Sequence, residues 1–125
     1  MMINPNINIS QATIAKHSGW LALWPEKKRG VFCYYDEGVF KRKDGTEIPF
    51  EKIRLADVHI TKNKQGREYI RYAGRGQQKY SLVGFYKELA PYVRQIIQKV
   101  YEEVVDKPAD ESEIDKILKE TGGVF

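Results

Sequence analysis

The clearest pattern in this chain is a helical one near its C-terminal end. Over residues 84–104, apolar residues recur every three or four positions, so they fall on one side of a helix. They are Tyr86, Leu89, Val93, Ile96, Ile97, Val100, Tyr101 and Val104. Pro91 interrupts the stretch and lacks a backbone donor. This favours a kink or break in a single helix over a helix that begins with Pro91 in its first turn.

Before this helix, apolar and polar residues alternate over short stretches, which is the pattern of β-strands. The alternation and the turn residues between the stretches predict seven strands. They cover residues 12–24, 31–35, 39–43, 46–50, 53–62, 67–73 and 77–83. Asp44-Gly45 predicts a tight hairpin with positive φ at both turn positions. Pro49 predicts that its strand lies at a sheet edge or ends there.

A second, shorter helical pattern follows the first. Ile114, Ile117 and Leu118 form a thin apolar stripe, and Asp110 and Glu113 have the spacing of a capping box. Because so short a helix is marginal on its own, we expect it to dock on the rest of the chain or on a partner.

Together these patterns predict a mainly β (β+α) fold. We expect an antiparallel barrel or sandwich of about seven strands, capped by the C-terminal amphipathic helix, with a short extra helix at the C-terminus. Residues 1–11 are expected to form an N-terminal arm, residues 12–105 the domain, and residues 106–125 an acidic C-terminal segment.

Composition narrows the class of protein. A chain of 125 residues fits one domain, and Cys33 is the only cysteine, so no intramolecular disulfide forms. The first residues do not resemble a signal peptide, and no apolar run reaches the roughly 20 residues that span a bilayer, so we expect a cytoplasmic protein. The net charge of +4 divides into +9 over residues 1–99 and −5 over residues 100–125. This asymmetry favours either an anionic partner or an acidic tail folded on a basic body.

Two segments carry a resemblance to a known family. GVF at residues 38–40, a hairpin, and EIPFEKI at residues 47–53 resemble the strand–turn–strand phrase of bacterial pleckstrin-homology-like (PH-like) and GRAM-type domains. The resemblance spans residues 12–105, because seven strands followed by one helix is also the order of elements in PH-like domains. It implies a barrel plugged at one end by the helix, acting as a binding or scaffolding module rather than an enzyme.

The same resemblance directs attention to one basic loop. In the phosphoinositide-binding members of the family, a basic cluster between the first two strands holds the lipid headgroup. Lys27, Lys28 and Arg29 occupy the matching connection here. The alternating basic residues that continue onto the next strand in lipid binders are replaced by apolar residues at positions 31–34. This loop is therefore a candidate for a general contact with anions or anionic lipid.

No catalytic or metal-binding motif is present in the sequence. His17 and His59 lack metal-ligand spacing, and the serines lack a nucleophile-elbow context. Gly74-Arg75-Gly76 is too short for a phosphate-binding loop and precedes a strand rather than a helix. We expect no enzyme activity, no catalytic residue, no cofactor and no metal.

The most suggestive surface is a basic and aromatic one on the sixth and seventh predicted strands. Its candidate residues are Lys62, Lys64, Arg67, Tyr69, Arg71, Arg75 and Lys79. Arg67, Tyr69 and Arg71 share one strand face by their period of two, so they are suited to lie along a phosphate backbone or to stack on bases. The alternative is a solvated outer face whose long side chains protect a sheet edge.

The leading hypothesis is a non-catalytic PH-like module that recognises a protein or peptide partner, by addition of an extended segment to a strand edge. The alternative is a small nucleic-acid-binding protein that uses the basic and aromatic face. A weak contact between residues 27–29 and an anionic membrane ranks third.

Overall fold

The computed structural model describes residues 6–72 and 89–120. Over these residues the chain is mainly β: five antiparallel strands form one sheet, curled into a half-barrel, with two helices. The strands are β1 (Asn8–Ile14), β2 (His17–Trp24), β3 (Arg29–Lys41), β4 (Glu47–Lys62) and β5 (Glu68–Tyr72). Each strand pairs with its neighbour in sequence, in the order β1-β2-β3-β4-β5. The predicted strand at residues 77–83 lies outside the described residues.

The first predicted strand is two strands. β1 and β2 form a hairpin, and Ala15 and Lys16 are the two residues between them. Both have positive φ, 51° and 70°, as a type I′ turn requires. β1 also begins at Asn8, inside the segment that was expected to be an arm. The prediction of one strand over residues 12–24 is therefore wrong.

β3 and β4 each join two predicted strands into one. Residues 36–38 have the composition of a turn, but they lie in β3 and pair with residues 50–52 of β4. The pairing of these two strands continues without a break from Arg29 opposite His59 to Lys41 opposite Glu47. The result is a hairpin whose strands are longer than β1 and β2.

The loop that closes this hairpin has three residues. The Gly45 N–H donates to the Arg42 carbonyl (3.0 Å), and the Arg42 N–H donates to the Thr46 carbonyl (2.8 Å). Gly45 has a φ of 90°, whereas Asp44 does not have positive φ. The expectation of positive φ at both positions is therefore wrong, and the loop is a type I turn followed by a bulge at glycine. The β4–β5 loop repeats this geometry with Gly66, whose φ is 80°.

The main helix, α1 (Ala90–Lys99), continues into a π-helical turn at Val100–Val104. Pro91 lies in the first turn of α1, where its missing donor breaks no helical hydrogen bond. The structure therefore matches the arrangement that was not favoured, in which the helix begins with Pro91 in its first turn. Residues 84–88 lie outside the described part. In the π turn, the Val105 N–H donates to the Val100 carbonyl (2.9 Å).

α1 covers one face of the sheet. Its residues Val93, Ile96 and Ile97 are fully buried, as is Val100 in the π turn. They pack on sheet residues that share a face by alternation: Ala22, Trp24, Val31, Cys33 and Leu55. Burial raises the pKa of the Cys33 thiol, as expected of a small core residue rather than a reactive one.

The opposite face of the sheet carries a second buried cluster. It consists of Leu21, Phe32, Tyr34, Ala56 and Val58. The rings of Phe32 and Tyr34 stack with centroids 5.4 Å apart, and the His17 ring lies 4.6 Å from that of Tyr34. Both faces of the central strands are therefore buried.

The short helix α2 (Glu111–Glu120) docks on the body of the protein. Ile114 and Leu118 are buried in the same core as α1. The Asp110 carboxylate caps the helix by accepting from the Ser112 N–H (2.9 Å), whereas Glu113 accepts from the Tyr101 hydroxyl (2.8 Å). Asp110 is therefore confirmed as the capping residue. Glu113, its predicted partner in the capping box, instead joins α2 to the π turn through Tyr101. Within the described ranges, no helix is both long and apolar enough to cross a membrane.

Candidate functional site

The long β3–β4 hairpin extends beyond the point where β2 stops pairing with β3. β2 pairs with β3 only as far as Tyr34, and among the described residues β5 pairs with β4 from Val58 to Lys62. Residues 73–88, which follow β5, lie outside the described part. Between these limits, residues 35–41 and 47–53 pair with each other and with no third strand among residues 6–72 and 89–120. We call residues 35–53 the ribbon. At roughly 3.3 Å per residue, its paired part is about 23 Å long.

The two sides of the ribbon differ, because alternate side chains point to opposite faces. One side, the Phe40 face, presents Phe40 opposite Ile48 and Phe50 opposite Gly38. The other side, the Val39 face, presents Val39 opposite Pro49. Phe40 is 62% exposed and Val39 is 56% exposed. Exposed apolar side chains that cluster on one projecting element indicate a surface for interaction.

Gly38 shapes the Phe40 face. A Cβ atom built on Gly38 would lie 2.9 Å from Cζ of Phe50, closer than real contacts allow. The Phe50 ring therefore lies across the glycine, which half-buries it and leaves a flat apolar surface next to Ile48 and Phe40. The sequence context of Gly38 suggested a turn residue. In the structure Gly38 lies in a strand, and its lack of a side chain leaves room for the Phe50 ring.

Pro49 affects the outer edge of β4. The Arg42 N–H bonds across the hairpin to Thr46, so by alternation Val39 and Pro49 form a non-hydrogen-bonded pair. The nitrogen of Pro49 then faces away from β3, where no described strand pairs. Pro49 removes one donor that another strand would need there. The prediction that its strand lies at a sheet edge or ends there stays a prediction, because residues 73–88 lie outside the described part.

Carboxylates collect on the Val39 face. Glu37 and Glu51 lie directly opposite each other, an unfavourable pairing of like charges. The Tyr35 hydroxyl lies between them, 2.8 Å from Glu51 and 3.0 Å from Glu37. Lys107, in the connection before α2, places its Nζ 2.6 Å from the other oxygen of Glu51. The hydrogen bond from Lys107 is the main cause that lowers the pKa of Glu51 below its usual value.

Replacing Lys107 with methionine is expected to raise the pKa of Glu51 toward its ordinary value. A carboxylate with a lowered pKa contributes stability above its usual pKa and loses it as the pH falls through the folded-state pKa. The measurement is an NMR titration of the Glu51 carboxyl carbon in the wild type and in Lys107→Met. Lys52→Met, on the opposite face of the ribbon, is the control; equal Glu51 titrations in all three proteins would contradict the geometry.

The Phe40 face has a different charge pattern. Its carboxylate, Asp36, is paired with Arg54 through an Nε–Oδ2 contact of 2.8 Å. Lys52 lies opposite Asp36 in the register. Arg42 follows Phe40 by two residues, so alternation places it on the same side at the tip. The apolar surface is therefore flanked by cations at both ends.

The basic and aromatic residues predicted to form a binding face occupy the other end of β4. Tyr69 and Arg71 share one face of β5, and Arg71 lies opposite His59 in the register. Tyr69 is 46% exposed. Arg67 and Lys64 are exposed in the β4–β5 loop region, whereas Lys62 lies opposite Glu68, on the alternate face. Arg75 and Lys79 lie outside the described residues.

The predicted basic loop at residues 27–29 does not present three free charges. Arg29 contacts Asp57 at 2.7 Å, and Lys28 contacts Glu68 at 3.4 Å. The Nζ of Lys27 lies 5.5 Å from the centre of the Trp24 ring. These contacts within the protein compete with a lipid headgroup, so the geometry adds no support to the predicted lipid contact.

Asp57 is the one charged residue in the buried part of the described sheet. Burial raises its pKa, and the charge of Arg29 acts against this shift. Its Oδ1 has no hydrogen-bond partner, and His59 Nε2 lies 4.0 Å from Oδ2, beyond hydrogen-bonding distance. We interpret the Arg29–Asp57 pair as structural, because it ties the start of β3 to β4.

Sequence reasoning missed the ribbon as a site. A signal was present: apolar residues at positions 39, 40, 48 and 50 flank a short turn on both sides. Sequence alone did not show that β3 and β4 pair without a break through residues 36–38. Comparison with protein-family models, with curated proteins and with solved structures finds no match for this chain. Its function is therefore argued from its own geometry.

Proposed function

We propose that this chain is a non-catalytic, PH-like binding module that docks a partner protein on the ribbon. Two features support the PH-like assignment: the described strands pair consecutively, and an amphipathic helix packs on the sheet after them. The observation that carries the functional part is the exposure of Phe40, 62%, at the projecting end of the ribbon.

The physical reason to expect a partner on the ribbon is its exposed apolar surface. A two-stranded hairpin is only marginally stable in water, because one pair of strands buries little apolar surface. Covering apolar surface stabilises a complex by about 25 cal/mol per Å² removed from water. Large aromatic side chains at the centre of a contact supply most of the binding energy of typical interfaces. Phe40 and its neighbours Ile48 and Phe50 have this composition.

The test compares two variants of the full chain. Wild-type protein and the double variant Phe40→Ser/Ile48→Thr are used to capture partners from cells that make the protein. We expect one protein that is retained by the wild type and lost with the double variant, and that binds the purified wild type in stoichiometric amount by calorimetry. Lys64→Glu, at the far end of β4, is the control and retains the partner.

Two outcomes contradict this proposal. A captured protein that the wild type and the double variant retain equally removes the ribbon as the docking surface. Binding of wild type and variant to single-stranded oligonucleotide, with no ribbon-dependent protein, favours the second candidate below.

A second candidate function is nucleic-acid binding, favoured by the exposure of Tyr69 beside Arg71. Bases stack on exposed aromatic rings, and neighbouring cations neutralise phosphates. The arrangement lies on the same face as His59 and continues onto Arg67 at the end of the loop. It carries less weight than the ribbon because Glu68 and Asp57 lie in the same two strands.

Under this second candidate, a fluorescent single-stranded oligonucleotide binds the wild type with an affinity that falls steeply as salt rises. Arg67→Glu/Arg71→Glu abolishes the binding, and Tyr69→Ala weakens it by about tenfold, since stacking on one aromatic ring contributes ~1–3 kcal/mol. Fluorescence anisotropy over a salt series is the measurement. Lys41→Glu/Lys43→Glu, at the opposite end of the molecule, is the control of equal charge change; a flat salt response removes the candidate.

A further inference from the structure

The two faces of the ribbon both carry apolar residues toward the tip, but they differ in charge. The Val39 face carries Glu37, Glu47 and Glu51; Glu51 is paired with Lys107, and Lys41 lies opposite Glu47. On the Phe40 face, the carboxylate of Asp36 is held by Arg54, while Lys52 is left at the base and Arg42 at the tip. A segment that contacts the Phe40 face therefore meets apolar side chains bordered by positive charge.

We infer that the Phe40 face is the contact surface of the ribbon, and that it binds an acidic, amphipathic segment of a partner protein. This inference rests on the proposed function and specifies its partner. Apolar side chains of the segment pack on Phe40, Ile48 and Phe50. Carboxylates of the same segment lie near Lys52 and Arg42, where complementary charge fixes orientation and disfavours basic partners.

The position of the apolar residues favours a protein segment over a membrane. Phe40 and Ile48 lie on the side of the ribbon, behind a loop that carries Lys43 and Asp44. Inserting the ribbon end-on into lipid would bury those two charges before any apolar side chain arrived, and burying a charge is costly. A lateral face suits a segment that lies along the ribbon.

Nucleic acid and a second copy fit this face less well. A groove of nucleic acid surrounds a ribbon with phosphates on both sides, and Glu37, Glu47 and Glu51 on the reverse side would repel them. Two copies that pack their Phe40 faces together bring Lys52 and Arg42 of one copy against the same cations of the other. Among the described residues, only Val39, Phe40 and Tyr69 are large, apolar and exposed, so few other surfaces on a second copy offer Phe40 an apolar contact.

The experiment selects ligands without assuming their sequence. A random peptide library displayed on phage is selected against the immobilised full-length wild type, after removal of phage that bind Phe40→Ser. We expect the recovered peptides to combine Leu, Ile or Phe with several Asp or Glu residues. Their synthetic forms are then measured by fluorescence anisotropy against wild type and four single variants.

The variants form two matched pairs. Phe40→Ser is expected to weaken binding by about tenfold or more, as removal of a central aromatic contact does. Val39→Ser removes an equally exposed apolar side chain from the opposite face and leaves affinity within about twofold. Lys52→Glu weakens binding several-fold, whereas Lys41→Glu, a charge reversal on the Val39 face, leaves it nearly unchanged. Circular dichroism confirms that each variant is folded.

Each contrary outcome overturns a defined part of the inference. Recovered peptides that are neutral or basic, but still depend on Phe40, overturn the acidic partner and leave the ribbon as a docking site. Equal losses in Val39→Ser and Phe40→Ser overturn the choice of face. No Phe40-dependent peptide overturns the proposed function itself. If the wild type sediments as a dimer and Phe40→Ser sediments as a monomer, the Phe40 face binds a second copy of the chain. If the wild type binds anionic vesicles and Phe40→Ser does not, the face binds a lipid surface. Either result overturns the inference.

Discussion

Replacing Phe32 with alanine is expected to lower the free energy of unfolding by about 3–5 kcal/mol. Phe32 is fully buried in the first half of β3, on the face of the sheet opposite α1. Its ring stacks on Tyr34 and lies among Leu21, Ala56 and Val58, so deletion leaves a cavity that rigid strand backbones cannot close. The measurement is the urea midpoint, with the slope of the transition unchanged.

Phe40→Ala is the matched control for this experiment. It is the same substitution in the same strand, eight residues further along, but at a position that is 62% exposed. We expect a change within about 0.5 kcal/mol, as for surface substitutions elsewhere. Similar losses of stability at the two positions would show that the ribbon is packed in the free protein, contrary to the exposed surface described above.

The second large effect is expected at Ile96 in α1. Ile96→Ala should cost about 2–5 kcal/mol, because Ile96 is fully buried where the helix covers β2 and β3. The measurement is again urea unfolding. Gln95→Ala, on the exposed side of the same helix, is the control for helix propensity and should be neutral or slightly stabilising.

These two substitutions separate the two faces of the sheet. If Ile96→Ala leaves stability unchanged while Phe32→Ala does not, the helix contributes little to the fold and the sheet is stabilised from its other side. That result would contradict the buried contacts between α1 and the strands. If both destabilise, the sheet is held from both faces, as the buried clusters indicate.

The sequence predicts the periodic elements well. The three- and four-residue spacing that identified α1 also identified the buried residues Val93, Ile96 and Ile97. Alternation placed Tyr69 and Arg71 on one face of β5 before the register was known. These predictions succeed because one buried face imposes a local period on the side chains.

Strand ends were harder to predict, for local reasons. Ala15 and Lys16 adopt positive φ without the glycine or asparagine that usually marks such a turn. Residues 36–38 have turn composition, but their glycine accommodates the Phe50 ring inside a continuous strand. In both places the conformation is set by cross-strand pairing, which the local sequence does not contain.

Contacts between distant residues explain the remaining differences. Lys28 and Arg29 resemble a free basic loop until Glu68 and Asp57 are placed beside them by strand pairing. The ribbon likewise depends on the pairing of β3 with β4 continuing past the point where β2 stops pairing with β3. Both features depend on contacts between residues that are distant in sequence, so composition and the spacing of apolar residues do not reveal them.

The tip of the ribbon is also a site where we expect a protease to cleave this chain. Three consecutive basic residues are exposed there, so a protease such as trypsin reaches them before any other part of the hairpin. They are Lys41, Arg42 and Lys43. After a cut at this point, the N-terminal fragment keeps β3 paired with β2, and the C-terminal fragment keeps β4 paired with β5. The two pieces meet along the whole length of the β3–β4 register, so they should remain associated as a nicked but folded protein and reassemble when made separately.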